Sequence, residues 1–264
     1  MLWLNDLPGL PDIGRTRETI EVFTRVSRAH LICLKIPKLK LFCFPNLHDF
    51  SGMEKFPITE KTEITRLPKR GVYDVSTIYS ILDEALVCTV AYVHNGQPFQ
   101  IPTGFARIGN TVYIHGLVGA WYMRQIADGA PVCVSATLLD GMVLARSAFH
   151  HSVNYRSVVF FSKGRRVTDD KELYQSLEVF TNKMCPGRWD DIRKPNATEW
   201  KGTMVIAFEL EEASAKVRTG GPKDDEEDYA LDIWAGVQPV KLTRGELIAD
   251  ELLKPGVQVP PYLK

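Results

Sequence analysis

The sequence predicts a mainly antiparallel β fold with a few flanking helices, on three grounds. Short β-branched runs recur from Leu86 onward, tight-turn dipeptides separate them, and the helical crossover that a parallel sheet needs between most strands is missing. Strands of this kind favour a sheet closed into a small barrel.

Taken in order, DVSTIYSILDEA offers Asp74 or Ser76 as a helix cap and sets Ile78, Ile81, Leu82 and Ala85 on one face, which predicts a short amphipathic helix. LVCTVAYV follows as a strand, and Asn95-Gly96 tolerates the positive φ of a tight hairpin turn. FQIPTGFARI returns. Pro102 has no amide to donate, so this strand belongs at a sheet edge or is irregular there. Gly109-Asn110 turns the chain into TVYIH, which breaks at His115-Gly116 and passes to a helix ending at Gly129. PVCVSATLL comes next, with Asp140-Gly141 as a third hairpin returning through MVLARSAF. YRSVVFFSKGRRV reads as a long strand, DDKELYQSLEVFTNKM as a helix, and TMVIAFELEE with SAKVRTG as the closing strands. KDDEED, Lys223 to Asp228, reads as a solvated loop.

Composition narrows the function classes. Of 264 residues, 32 are Lys or Arg and 32 Asp or Glu, so bulk charge gives no support to nucleic-acid binding. The most apolar early stretch, Leu31 to Phe44, is interrupted by Lys35, Pro37, Lys38 and Lys40 and is not a membrane span. Asp6, Pro8, Gly9 and Pro11 come too early for a secretory signal, so a cytoplasmic protein is expected. Five cysteines without a C-x-x-C pair point to reduced, mostly buried thiols. Residues 1–52 keep neither hydrophobic period and are expected to pack poorly; Met53 opens a polar lead-in, which suggests Met1 as a mis-called start. The expected organisation is an N-terminal extension at 1–69, a barrel at 70–243 and a tail at 244–264.

The sequence has no H-E-x-x-H, G-x-S-x-G or G-x-G-x-x-G motif. GFARIGN has the outer glycines of a phosphate loop, but Asn110 stands where lysine is needed. Asn196-Ala197-Thr198 matches a glycosylation sequon that should stay unmodified without a secretory signal. His150 and His151, if on a strand, face opposite ways and cannot share one ion, so no metal site is expected. Two stretches carry more. A strand ending at His115-Gly116 before a helix would present the amides of Val118 to Trp121 beside an imidazole, a place suited to an anion. Leu144 to Phe161 sets Arg146-Ser147 and His151-Ser152-Asn154-Tyr155-Arg156-Ser157 between apolar strands; arginine can hold a phosphate, and Ser, Asn and Tyr can bond the polar edge of a flat ring.

With these stretches on the page, LVCTVAYVHNGQPFQIPTGFARIGNTVYIHG, PVCVSATLLDGMVLARSAFHHSVNYRSVVFFSKGRRV and KVRTGGPKDDEEDYALDIWAGVQPV together resemble the flavin-nucleotide-binding branch of the pyridoxamine 5′-phosphate oxidase-like proteins, related to the nitroimidazole-resistance proteins. The resemblance spans roughly residues 70 to 243. It implies an FMN-binding split β-barrel, Greek-key-like, forming a homodimer with FMN in clefts between the subunits. Ile101, Pro102 and Thr103 would run along the isoalloxazine ring, with His115 and Gly116 near the ribityl phosphate and Ala120 among the cofactor-binding residues. Arg146, His151, Asn154, Tyr155 and Arg156 fall in the second cofactor-facing stretch, and Arg218 and Trp234 in segments that close the site. Where relatives often place small hydroxyl residues and a basic one, this chain has Leu117, Val118, Ala120 and Trp121. The implied function is an FMN-dependent oxidoreductase acting on a small-molecule substrate, with a nicotinamide electron donor and His115 and Tyr155 as candidate catalytic groups. The alternative is a non-catalytic flavin or haem carrier or redox sensor on the same barrel.

Overall fold

A computed structural model describes residues 54–263, together with the backbone of two dipeptides, Val22–Phe23 (β1) and Cys33–Leu34 (β2), which pair antiparallel. The chain divides into two units, Met1–Gly52 and Met53–Lys264. The expectations for residues 1–52 otherwise lie outside the described residues.

In the second unit the elements run β3 (Gly71–Val72), α1 (Val75–Glu84), β4 (Val87–His94), β5 (Gln97–Gly104), β6 (Ala106–Ile108), β7 (Thr111–Leu117), α2 (Trp121–Ala127) and β8 (Pro131–Leu144). They continue with β9 (Ser152–Lys163), β10 (Arg165–Arg166), α3 (Asp170–Met184), α4 (Arg188–Asp191), α5 (Ala197–Gly202), β11 (Thr203–Glu209), β12 (Glu212–Arg218) and β13 (Gly236–Pro239). The described strand pairings are all antiparallel. They form two sheets in place of one closed sheet: β10-β11-β7-β6, and β3-β12-β9-β8-β4-β5 with β13 laid against β8. This is the split barrel.

Local chemistry accounts for the turns. Asn95 (φ 50°) and Gly96 (φ 77°) make the β4–β5 turn, as the dipeptide predicts. β5 is an edge strand, which is where Pro98 and Pro102 are tolerated. Asp140-Gly141 is not a hairpin. β8 runs straight through it, with Leu139 opposite Tyr155 and Gly141 opposite Asn154, so Asp140 is the extra residue of a bulge. Gly141 answers to packing: a Cβ there would lie 3.0 Å from Val237 Cγ1 and 3.1 Å from the Gln238 carbonyl of β13. The strand predicted to stop at His115 also continues, because β11 pairs with β7 as far as Leu117. Asn196 caps α5, accepting from the amides of Thr198 and Glu199, and thereby uses its sequon side chain.

The main core fills the space between the sheets. Ile78, Ile81 and Leu82 of α1 and Met123 and Ile126 of α2 pack with Val90, Val134, Val158 and Phe160 of one sheet and Ile114, Ile206 and Phe208 of the other. Phe56, from the lead-in, is buried with them, so the lead-in contributes one side chain to the core. Alternation sends Tyr113, Val205 and Ala207 to the opposite face, where they pack with Val167 and Leu173 of the α3 region. The tail returns to the same unit, where Arg244 donates to the Met184 carbonyl and the Tyr262 hydroxyl bonds Arg188 and Asp191.

Gly164 turns the chain from β9 to β10 and so from one sheet to the other. A Cβ there would lie 2.5 Å from the Ile126 carbonyl oxygen and 2.6 Å from its Cγ2. Gly164→Ala is therefore expected to destabilise the fold by about 1–3 kcal/mol, the usual range for overpacking. Denaturant unfolding monitored by tryptophan fluorescence checks this, and an unchanged midpoint would refute it.

Candidate functional site

The residues singled out in the sequence fall into two groups. Ile101, Pro102 and Thr103 lie on the edge strand β5, with Pro102 exposed and the other two half-buried. His115 and Gly116 lie on β7, and Ala120 immediately precedes α2. Phe180 of α3 joins these. Its ring meets the His115 ring at 4.2 Å in an edge-to-face contact, and a Cβ on Gly104 would lie 2.9 Å from its Cζ. Burial holds the His115 pKa below the usual histidine value, so the ring is neutral near pH 7.

The amides expected at the start of α2 are partly taken. Val118 N–H donates to the Gly202 carbonyl and Ala120 N–H to the Leu117 carbonyl. Gly116 is closed over by protein, since a Cβ would lie 3.1 Å from Met123 Cγ and from the Tyr122 hydroxyl. The strand therefore does not stop at His115 to free amides for an anion.

The second group lines the ends of β8, β9 and β12. Arg146 donates from both its backbone N–H and its guanidinium to Asp224, at 3.0 Å each, and its guanidinium lies 5.0 Å from the Tyr229 ring centroid. Asp224, placed by the sequence in a solvated run, has a fully covered side chain beneath this arginine. His151 Nδ1 lies 2.9 Å from the Ser147 carbonyl. Asn154 is buried, donates to the Gly220 carbonyl and accepts from Arg218, whose guanidinium also reaches the carbonyls of Gly220 and Gly221. Tyr155 stands opposite Arg218 across the β9–β12 ladder. Trp234 is exposed and covers Gly236.

Arg156 is committed elsewhere. Its guanidinium donates to both carboxylate oxygens of Asp140 and both of Glu84, and these bonds raise its pKa. The fork that could have held a phosphate instead ties β9 to α1 and to the β8 bulge. His150 and His151 are not on a strand; His150 ends a short turn at Ala148–His150, and its Nε2 lies 3.2 Å from Asp225. His150, Asp225 and Asp228 come within 4.8 Å of one another at the surface.

Arg218 stands out electrostatically. It is 8% exposed, its hydrogen bonds go to neutral oxygens, and its Nε has no partner. Burial, and then the nearby Arg70, lower its pKa. Arg146 Nε and Ser147 Oγ are likewise buried without partners. Among the described residues, one concavity lies between α4 and the tail and another beside Asp83, Arg107 and Lys183, along the same helix α3 that carries Phe180. In the second, burial lowers the Lys183 pKa to about 8, and its Nζ sits 3.6 Å from the Phe105 ring centroid. Neither Phe180 nor Asp224 carries a signal in the sequence: one lies within a helix pattern and the other within a charge run.

Residues 74–217 match the family model described as pyridoxamine 5′-phosphate oxidase. Among solved structures, the flavocytochrome Anf3 from Azotobacter vinelandii is 35% identical, with 78% of this chain and 95% of that chain covered and a TM-score of 0.73. The FAD and haem binding protein from Mycobacterium smegmatis is 34% identical, with 74% and 95% covered and a TM-score of 0.71. No curated protein matches the chain.

The buried His115 ring generates a pH expectation. Its folded-state pKa lies below the unfolded value of about 6.5, so its contribution to stability is present above that pH and is lost as pH falls through the folded midpoint. NMR titration of the imidazole protons is expected to give a midpoint below that of free histidine; a midpoint at or above it would overturn the assignment of a buried neutral ring.

Proposed function

The chain belongs to the pyridoxamine 5′-phosphate oxidase-like family, and on that footing we propose that it is a flavin-binding oxidoreductase acting on a small molecule, with the flavin held between two copies of the chain. One observation carries this proposal: the two solved relatives, 35% and 34% identical over 78% and 74% of the chain, are by name a flavocytochrome and an FAD and haem binding protein.

Features of this chain fit such a ligand. A buried guanidinium answered only by neutral oxygens is the environment that an anion such as a cofactor phosphate completes, and that is Arg218. The edge of β5 leaves backbone groups unpaired on one side, which suits the polar rim of a flat heterocycle, while Pro98 and Pro102 discourage another strand from adding there. Phe149 at 91% and Trp234 at 70% exposed sit in the second group's segments, and apolar side chains open to water there support a second copy covering them.

When bound, the flavin would supply the hydride or electron chemistry. Ile101, Pro102 and Thr103 would lie along the ring, with His115, Gly116 and Ala120 near the ribityl phosphate. Arg218 of the other copy would supply positive charge, with Arg146, Asn154, Tyr155 and His151 beside it. His115, being neutral, can accept or donate one hydrogen bond without bringing a charge to the ring. A nicotinamide nucleotide is the electron donor in this reading, and FMN is the flavin the sequence resemblance favours.

The relatives' names also favour a second reading, a flavin or haem carrier or redox sensor without turnover. Among the described residues His150 and His151 are engaged by Asp225 and the Ser147 carbonyl, whereas His94 and His115 meet other rings edge-on and would be the histidines open to an iron.

The absorption spectrum of the purified full chain separates these readings: flavin bands are expected, with a Soret band only where haem is also held. Reduction of bound flavin by NADH or NADPH under anaerobic conditions supports the oxidoreductase, and its absence favours the carrier. Arg218→Gln is expected to weaken flavin binding by about 1.5–3 kcal/mol, the range for a hydrogen bond to a charged group, with Arg218→Lys recovering part of it. An unchanged Kd in a fluorescence titration of Arg218→Gln would remove Arg218 from the site.

A further inference from the structure

We propose that Lys183 is the nucleophilic amine of a second small-molecule site, where it condenses with a neutral hydroxyaldehyde to form an imine. The inference goes beyond the flavin reading and does not depend on it. Lys183 lies in the last turn of α3 and lines a cleft of about 550 Å³, an ordinary size for a small-ligand site. One wall is a face of α3, on which Gln175, Glu178 and Asn182 follow at helical spacing. The other wall has Asp83 from the end of α1 and Arg107 from β6. The Lys183 Nζ donates to the Leu82 carbonyl at 2.8 Å and lies 3.6 Å from the Phe105 ring centroid, so its position is fixed from two sides. Lys183 is half-buried and, among the described residues, forms no ion pair.

The groups around the amine leave it free to react. Arg107 donates to both carboxylate oxygens of Asp83 and lies over the Tyr79 ring at 3.9 Å, so these two charges are spent on each other. Burial pushes the nearby Cys88 thiol of β4 up to about 12, and it stays neutral. Burial is also the largest influence on Lys183 and holds its pKa at about 8, against the opposing pull of Asp83. At pH 7.4 about one such amine in five is unprotonated, against roughly one in a thousand for an ordinary lysine. The free amine adds to an aldehyde carbon, a C–N bond forms, and the carbonyl oxygen leaves as water, with no change of oxidation state and no further reactant. The lining selects among aldehydes. Asp83 and Arg107 offset one another, so once Lys183 has lost its proton Glu178 leaves the cleft negative, which disfavours an aldehyde that carries a carboxylate or phosphate. Gln175 brings an amide, and Asn182, whose Oδ1 already accepts from the Trp189 N–H, keeps its NH₂ for a hydroxyl.

The test treats the full chain with substoichiometric glycolaldehyde and sodium cyanoborohydride, which reduces the imine to a stable hydroxyethyl amine, and maps the modified lysines by peptide mass spectrometry. At pH 7.4 Lys183 is expected to be labelled about tenfold or more faster than the exposed Lys171 and Lys201, its excess of free amine being partly offset by burial. Its labelling rate should rise with pH through a midpoint near 8, whereas that of a model lysine peptide should still be rising at about pH 10. Measured against Lys171, glycolaldehyde should favour Lys183 more strongly than glyoxylate does. Lys183→Arg should lose the fast label and keep the slow ones; where it fails to fold by circular dichroism, the wild-type map decides alone. Labelling of Lys183 no faster than that of Lys171 and Lys201, a midpoint matching the model peptide, or an equal or greater preference for glyoxylate would each overturn the proposal.

Discussion

The strand β7 has to be buried on both of its faces, and much else in the molecule follows from that. Val112 and Ile114 face the main core while Tyr113 faces α3, so the middle of the strand has no solvent-facing position. Alternation then puts His115 on the α3 side, against Phe180, with no charge nearby to keep it protonated. The same phenylalanine leaves no room for a side chain at Gly104, which is how the end of β5 comes to lie against the same ring. A helix laid over a sheet thus fixes, through one aromatic ring, the relation between the edge strand and the histidine.

At the other end of the larger sheet the organising force is charge. Two arginines that look equivalent in the sequence have opposite circumstances. Arg156 is saturated by Asp140 and Glu84 and acts as a staple between β8, β9 and α1. Arg218 is more deeply covered and has only an amide oxygen and two carbonyls for company. A buried pair with good geometry can offset its own desolvation, whereas a buried single charge leaves a penalty of several kcal/mol to be met from elsewhere. That difference, which no spacing rule carries, separates a structural arginine from one that a ligand can complete.

Much of the fold was legible in the chain. The β4–β5 turn is written in Asn95-Gly96, the edge position of β5 in Pro102, and α1 and α3 in their apolar faces. What misled was glycine. Asp140-Gly141 has turn chemistry but lies in a continuous strand, because its missing Cβ admits β13, and Gly116 sits inside β7 because α2 packs onto it. Glycine reports either a backbone angle or a close neighbour, and a single sequence does not say which. Asp224 was hidden for a related reason: five consecutive acids look like a solvated run, and only the fold shows that one of them turns inward under Arg146.

The two halves of the candidate site also explain why a single chain looks incomplete. β8 is shared lengthwise: its first half pairs with β4, next to the edge strand, and its second half with β13, next to the arginine-bearing ends of β9 and β12. The β5–β7 group and the Arg146–Arg218 group therefore sit toward different ends of one strand, and none of the described contacts joins them. The edge strand β5 brings no charged side chain beyond its neighbours' and the Arg146–Arg218 ribbon no sheet edge, so in the proposed reading each would be a poor site alone. In the dimer proposed above, a two-fold axis would set the two groups of one copy against those of the other, and the single isologous interface so formed would carry two equivalent sites.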